Sequence, residues 1–249
     1  MALTRVEYPG QGGKPLLIAH GLFGSARNWG AAAKRLSAGR PVVAVDMRNH
    51  ANSPWMPTNS YPDMAADLVA ETEPGGDALG HSMGGKATMV AALAHPDHFR
   101  RIVVADIAPV AYNRTQAHLI AAMRAVDLGQ VETRGDADRL LAVHVADDGV
   151  RAFLLQSLDV KEKRWRMNLD VLDAEMPKIM GFPEVSGSFP GPALFLTGGD
   201  SDYVRREDRD RIKALFPKAR FAKLPGAGHW LHADKPREFV ETVAAFLDA

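Results

Sequence analysis

The chain contains no cysteine in 249 residues, which removes disulfides, thiolate nucleophiles and thiolate metal sites together. It also lacks any charge bias. Thirty basic and 30 acidic side chains cancel, so neither a nucleic-acid surface nor a polybasic membrane patch is expected. No apolar run approaches the ~20 residues needed to span a bilayer. The opening stretch "MALTRVEYPG" meets charge at Arg5 and Glu7 and lacks the apolar core of a secretory signal. The expectation is a cytoplasmic protein with no membrane or nucleic-acid partner, its oligomeric state left open. Internal repeats and low-complexity tracts are missing too. What remains is ordinary globular composition, 46% hydrophobic and 24% charged. The length suits one large α/β domain or two small ones with a sizeable core.

Short apolar runs bounded by turn residues punctuate the chain: "LLIA" (16–19), "VVAV" (42–45), "DAL" (77–79), "IVVA" (102–105), "ALFL" (193–196) and "FAKL" (221–224). Most are continuous rather than alternating, as in strands buried on both faces of a parallel sheet. Helical patterns separate several of them, including "NWGAAAKRL", "YPDMAADLVAE", "GGKATMVAALA" and "KPREFVETVAAFL". This alternation predicts a mostly parallel, doubly wound α/β sheet with helices on both faces. The rhythm breaks from about Tyr112 to about Pro190, where the pattern is largely helical and carries its own apolar set, including Leu119, Met123, Leu140, Leu154 and Leu172. We read residues 112–190 as a helical cap inserted after the strand ending at Asp106, with 1–111 and 191–249 forming the core. Two ordinary crossover helices are the plainer alternative.

Ligands in open α/β sheets bind outside the carboxyl ends of the strands. There "LLIA" runs into "HGLFGS", "VVAV" into "DMRNH" and "DAL" into "GHSMGG". "IVVA" runs into "DIAP", "ALFL" into "TGGDSD" and "FAKL" into "PGAGHW". The pentapeptide "GHSMG" fits G-x-S-x-G, in which a sharp strand-to-helix turn lifts a serine oxygen above the sheet. A side chain two residues either side of Ser82 would collide with neighbouring chain, which accounts for Gly80 and Gly84. An ordinary glycine-rich turn is the competing reading. The strand before the motif and the helix "KATMVAALA" after it favour the nucleophile elbow.

A serine hydroxyl needs a base within hydrogen-bond reach, itself oriented by a third group. Of the histidines, His229 lies in the glycine-rich loop "GAGHW" after the last strand, where an imidazole can swing over the strand ends. His20 reads as a brace for its own loop, His50 as structural and His81 as a packing residue pointing away from the nucleophile. His95, His98, His118 and His144 fall on helical or inter-helical stretches, and His232 starts the approach to the final helix. For the acid, Asp106 at the mouth of "IVVADIAP" is preferred over Asp200 and Asp202. A loop-capping role for Asp106 is the ordinary alternative. Three residues past Gly198 stands Ser201 rather than a carboxylate, and it reads as a second hydrogen-bonding partner for the imidazole. The oxyanion hole is expected from the backbone N–H groups of Met83 and Leu22. Phe153, Trp165 and Phe182 are candidates to line an acyl pocket, although helical aromatics are as often core.

Together these residues resemble the α/β-hydrolase superfamily. The wording "HGLFGSARNW", "VDMRNHANSP", "GHSMGGKA", "VVADIAPVAY", "TGGDSDYV" and "GAGHWLHADKP" is similar to the small bacterial YbfF-type esterases. The resemblance implies a carboxylester hydrolase with a helical cap, needing no cofactor or metal. It also implies a triad acid at Asp106, with Ser201 as a fourth member. Short-chain acyl esters are the implied substrates, with acyl-CoA thioesters a further possibility. Thioesterase or acyltransferase chemistry with the same triad, and a non-catalytic small-ligand receptor on the same fold, are the alternatives. Dehalogenases and epoxide hydrolases on this scaffold need an aspartate where Ser82 stands. Two departures from the pattern stand out. "RNHANSP" carries Ala51 where such sequences usually have glycine, so its turn should avoid glycine-only geometry. "ETEPGGDALG" leaves little room for a full strand before the elbow.

Overall fold

A computed structural model describes residues 2–249. In chain order the strands are β1 (Thr4–Tyr8), β2 (Leu16–Ala19), β3 (Val42–Asp46), β4 (Gly76–His81), β5 (Phe99–Ala105), β6 (Leu158–Asp159), β7 (Arg164–Trp165), β8 (Ala193–Gly198) and β9 (Ala219–Leu224). The helices are α1 (Gly30–Leu36), α2 (Tyr61–Glu71), α3 (Met83–Ala94), α4 (Ala117–Ala125), α5 (Arg134–Ala142) and α6 (Asp148–Leu154). They continue as α7 (Leu169–Ala174), α8 (Met176–Met180), α9 (Asp208–Leu215), α10 (Leu231–Asp234) and α11 (Pro236–Asp248).

The main sheet has seven strands in the order β1-β3-β2-β4-β5-β8-β9, parallel except for β1. Its continuous apolar runs are explained by the pleat, which sends successive side chains to opposite faces. Leu16 and Ile18 of β2 and Leu194 and Leu196 of β8 pack with α1 and α11. Leu17, Ala19 and Phe195 instead join the cluster built with α2 and α3. Each face is covered, so both registers must be apolar. This is the mostly parallel, doubly wound sheet that the strand–helix alternation predicts.

Three strand details differ from the sequence expectation. β1 was not anticipated, because "TRVEY" places Arg5 and Glu7 in an exposed edge strand. Charge on an edge blunts further pairing and hides the strand's signal. β9, the other edge, is only partly buried, so "FAKL" is not among the runs covered on both faces. The short link before the elbow suffices, since α2 ends at Glu71 and β4 begins at Gly76. Ala51 adopts φ 48, inside the left-handed region, so its turn does take a conformation that glycine adopts more readily.

Between β5 and β8 the chain forms α4 to α8 and the small antiparallel β6–β7 hairpin, well beyond two crossover helices. This segment is tied to the loops at the strand ends. The Asn168 N–H donates to the Asn49 carbonyl at 3.0 Å, and the Ala51 N–H donates to the Arg166 carbonyl at 2.7 Å. Tyr61 donates its hydroxyl proton to the Ile179 carbonyl at 2.6 Å. Leu119, Ile120, Leu154 and Leu172 share one hydrophobic cluster with the sheet residues, so the core runs unbroken into the segment. Among the described residues, no helix is long and apolar enough to cross a membrane.

Candidate active site

The β4–α3 turn holds Ser82 at φ 51 and ψ −117, a conformation L-residues rarely adopt. The two flanking glycines are required by contact. A Cβ on Gly80 would lie 2.2 Å from the Gly84 carbonyl oxygen, and one on Gly84 would lie 2.5 Å from that of Ala19. The strand and helix thus close tightly around the serine. Its backbone carbonyl already accepts from the Lys86 N–H, at 3.0 Å.

Asp106 follows β5 directly and is fully buried, also with a positive φ of 52. Its Oδ1 accepts from the Gly198 N–H at 3.0 Å, while its Oδ2 accepts from His229 Nδ1–H at 2.7 Å. Ser201 donates its hydroxyl proton to the same Oδ2. Ser201 therefore partners the carboxylate, not the imidazole as expected. Three donors on one buried carboxylate satisfy it and fix its orientation. Asp202 is exposed and turned to Arg114, 2.9 Å away, which lowers its carboxyl below the usual range. Nδ1 of His229 is committed to Asp106, leaving Nε2 as the atom available for proton exchange.

Ser82 and His229 line one cavity of about 220 Å³. No hydrogen bond joins their side chains among the described residues; such bonds are often long until substrate packs the site. Leu22 and Met83 line the same cavity, in the loop after β2 and at the first position of α3. The Met83 N–H is one of the first-turn donors that a helix leaves without an internal partner.

Two buried histidines hold the Leu22 loop. His20 Nδ1–H donates to the Gly21 carbonyl at 2.7 Å, while its Nε2 accepts from the Met47 N–H at 2.9 Å. His50 Nδ1–H donates to the Arg48 carbonyl at 2.8 Å, and its Nε2 accepts from the Phe23 N–H at 3.2 Å. Burial pushes His20 down to about 4 and His50 down to about 3, so both stay neutral. Each ring needs one protonated and one bare nitrogen for these bonds, and neutrality provides that.

The upper wall comes from the segment between β5 and β8: Leu119, Val150, Phe153, Ile179 and Met180. Of the expected aromatics, Phe153 lines the cavity. Trp165 is buried instead, its indole N–H donating to the Met123 carbonyl at 2.9 Å, and Phe182 packs beside Tyr61. Sequence reasoning missed Tyr203, whose ring stacks on His229 at 3.9 Å, two residues beyond Ser201. It also missed Lys86, one turn past Ser82. This fully buried ammonium donates to the Met180 and Gly181 carbonyls at 3.1 and 2.5 Å, and burial lowers it to about 7. A lysine inside "GGKATM" carried no signal that its head would end beneath another element.

The model of the alpha/beta hydrolase family matches residues 16–242. The mouse (Mus musculus) sn-1-specific diacylglycerol lipase ABHD11 is 42% identical over 247 residues, covering 93% of this chain and 80% of that protein. Esterase YbfF of Escherichia coli (strain K12) is 39% identical over 239 residues, 94% of this chain and 93% of that protein, which bears out the resemblance drawn from the motifs. A solved marine microorganism esterase superposes with a TM-score of 0.92 at 37% identity, over 98% of this chain and 99% of that one. The chain belongs to the alpha/beta hydrolase family, among its YbfF-type esterases.

Proposed function

We propose that the protein hydrolyses carboxylic esters, short-chain acyl esters first among them, through an acyl-enzyme on Ser82. The observation that carries this reading is the 2.7 Å bond from His229 Nδ1–H to the buried Asp106, above a cavity that Ser82 also lines. Relatives named esterase and lipase support ester hydrolysis as the reaction class.

In the proposed cycle, neutral His229 takes the Ser82 proton at Nε2 as Oγ attacks the ester carbonyl. The N–H groups of Leu22 and Met83 hold the oxyanion, each such donor being worth about 3–4 kcal/mol of transition-state stabilisation. Asp106 steadies the imidazolium, Ser201 and the Gly198 N–H steady Asp106, and His229 returns its proton to the leaving alcohol. Water then repeats the sequence and frees the acid. The segment 112–190 acts as the cap, supplying the apolar wall against which the acyl chain packs. A cavity of about 220 Å³ supports a small acyl group, since drug-sized ligands occupy roughly 300–1,000 Å³.

Thioester hydrolysis and acyl transfer would use the same residues, so the test includes them. Wild type and Ser82→Ala are assayed with p-nitrophenyl acetate and butyrate, with and without a competing alcohol or thioester. The expected outcome is ester turnover by wild type and a loss of at least ~10³-fold in the variant. Retention of most activity by Ser82→Ala would refute the nucleophile. Ligand binding without any turnover would instead favour a receptor.

A further inference from the structure

His81 has no step in the proposed cycle, yet its ring lies where three loops of the site meet. It directly precedes Ser82 and is 4% exposed. Its Nε2–H donates to the backbone carbonyl of His229 at 2.8 Å. On another side it abuts the loop of Leu22, where a Cβ added to Gly21 would come within 2.9 Å of Nδ1. His232 meets the ring edge-on at 5.3 Å and is itself stacked on Trp29 at 4.0 Å, which closes the far side.

The other ties of the His229 loop lead elsewhere. The Gly228 N–H donates to Asp234 at 2.8 Å, and the Ala227 carbonyl accepts from the Asp200 N–H at 2.9 Å. Among the described residues, the bond from His81 is the one polar link from this loop to the nucleophile elbow. It also needs a particular form of the ring, with the proton on Nε2. Burial holds the imidazole far below its ordinary range, which keeps it neutral beside a His229 that must turn cationic during the reaction.

We propose that His81 is a positioning residue whose Nε2–H grips the His229 carbonyl and so fixes the base relative to the serine that follows it in the chain. The role rests on the reading of Ser82 and His229 as nucleophile and base. One side chain then couples the loop after β4 to the loop after β9. Displacing a reacting group by about 1 Å can cost on the order of 10²-fold.

The test uses the difference in reach between two amides. The Nε2 of glutamine overlays the imidazole Nε2, whereas the amide of asparagine reaches only the Nδ1 position. Wild type, His81→Gln, His81→Asn and His81→Phe are compared in p-nitrophenyl butyrate hydrolysis, in fluorophosphonate labelling rate and in thermal unfolding. His81→Asn and His81→Phe should lower kcat by roughly 10- to 100-fold with KM held within about threefold. His81→Gln should restore kcat to within about threefold of wild type. A merely structural histidine would give similar losses in the Asn and Gln variants, tracking their melting temperatures. That outcome in an active wild-type background overturns the role of His81 alone. If the Phe variant fails to fold, the Asn and Gln pair still decides. A wild type that neither turns over nor labels overturns both readings.

Discussion

The two walls of the cavity are built by different rules. The wall at the sheet edge holds Ser82 and Asp106 at φ 51 and 52, and locks Asp106 with three hydrogen bonds. The wall from the segment between β5 and β8 presents Leu119, Val150, Phe153, Ile179 and Met180. The Arg124–Asp170 and Arg139–Asp136 ion pairs of that segment involve no residue that lines the cavity. Each wall is built to the precision its chemistry needs. Proton transfer tolerates little displacement, so strain and buried polarity concentrate at the strand ends. Apolar recognition depends on shape and volume, which packing supplies with no strained backbone at the contacts.

The largest effect is expected at Asp106. Asp106→Asn should lower kcat by roughly 10⁴-fold, because the amide can no longer orient and stabilise the imidazolium. Asp202→Asn should stay within about threefold of wild type, since that carboxylate faces Arg114 at the surface. Steady-state kinetics on both variants checks this. The reverse order would move the acid to the loop after β8.

A second test concerns the cost of the locked wall. His20, His50 and His232 are buried and held at about 4, 3 and 4, below the ordinary value of 6.5. Below about pH 6.5 the unfolded chain takes up protons that these folded rings refuse, so stability falls with falling pH until the folded values are reached. At pH 5 the loss is roughly 2 kcal/mol for each histidine relative to pH 7. Denaturant unfolding at the two pH values measures it, and a flat profile would contradict the neutral, buried rings.

Smaller effects are expected at the other wall. Phe153→Ala should reduce kcat/KM for the butyrate ester by about tenfold while sparing the acetate ester, in line with 1–3 kcal/mol per apolar contact in a pocket. Equal losses on both esters would place Phe153 outside acyl recognition. The smallest effect is at Ala51, whose φ of 48 suits glycine better. Ala51→Gly should raise the unfolding free energy by up to ~1 kcal/mol, relief of the left-handed backbone outweighing the added chain entropy. Thermal unfolding would show it, and a lower melting temperature would contradict it.

Much of the strand-end wall was legible because each part announces itself locally. The elbow needs small residues at Gly80 and Gly84, the parallel strands are continuous apolar runs, and His229 stands in a glycine-rich loop. Elements whose role is set by distant partners were not legible. β1 is a charged edge strand that pairs with β3 across the intervening β2 and α1. The stacking of Tyr203 on His229, the bond from His81 to the His229 carbonyl and the burial of Lys86 beneath Met180 all join residues far apart in the chain. Each role depends on a partner far away in the sequence, so only the assembled fold shows it. Ser201 was placed near the right group but on the wrong partner, since a loop position cannot say which of two neighbouring acceptors the hydroxyl meets.

Ser82 is the residue proposed to carry the acyl group, and intact-mass analysis with peptide mapping after fluorophosphonate treatment is the decisive test. A single adduct is expected on the peptide containing Ser82, formed in step with the loss of ester hydrolysis and absent from Ser82→Ala. An adduct on another serine, or full inhibition with Ser82 unmodified, would contradict it.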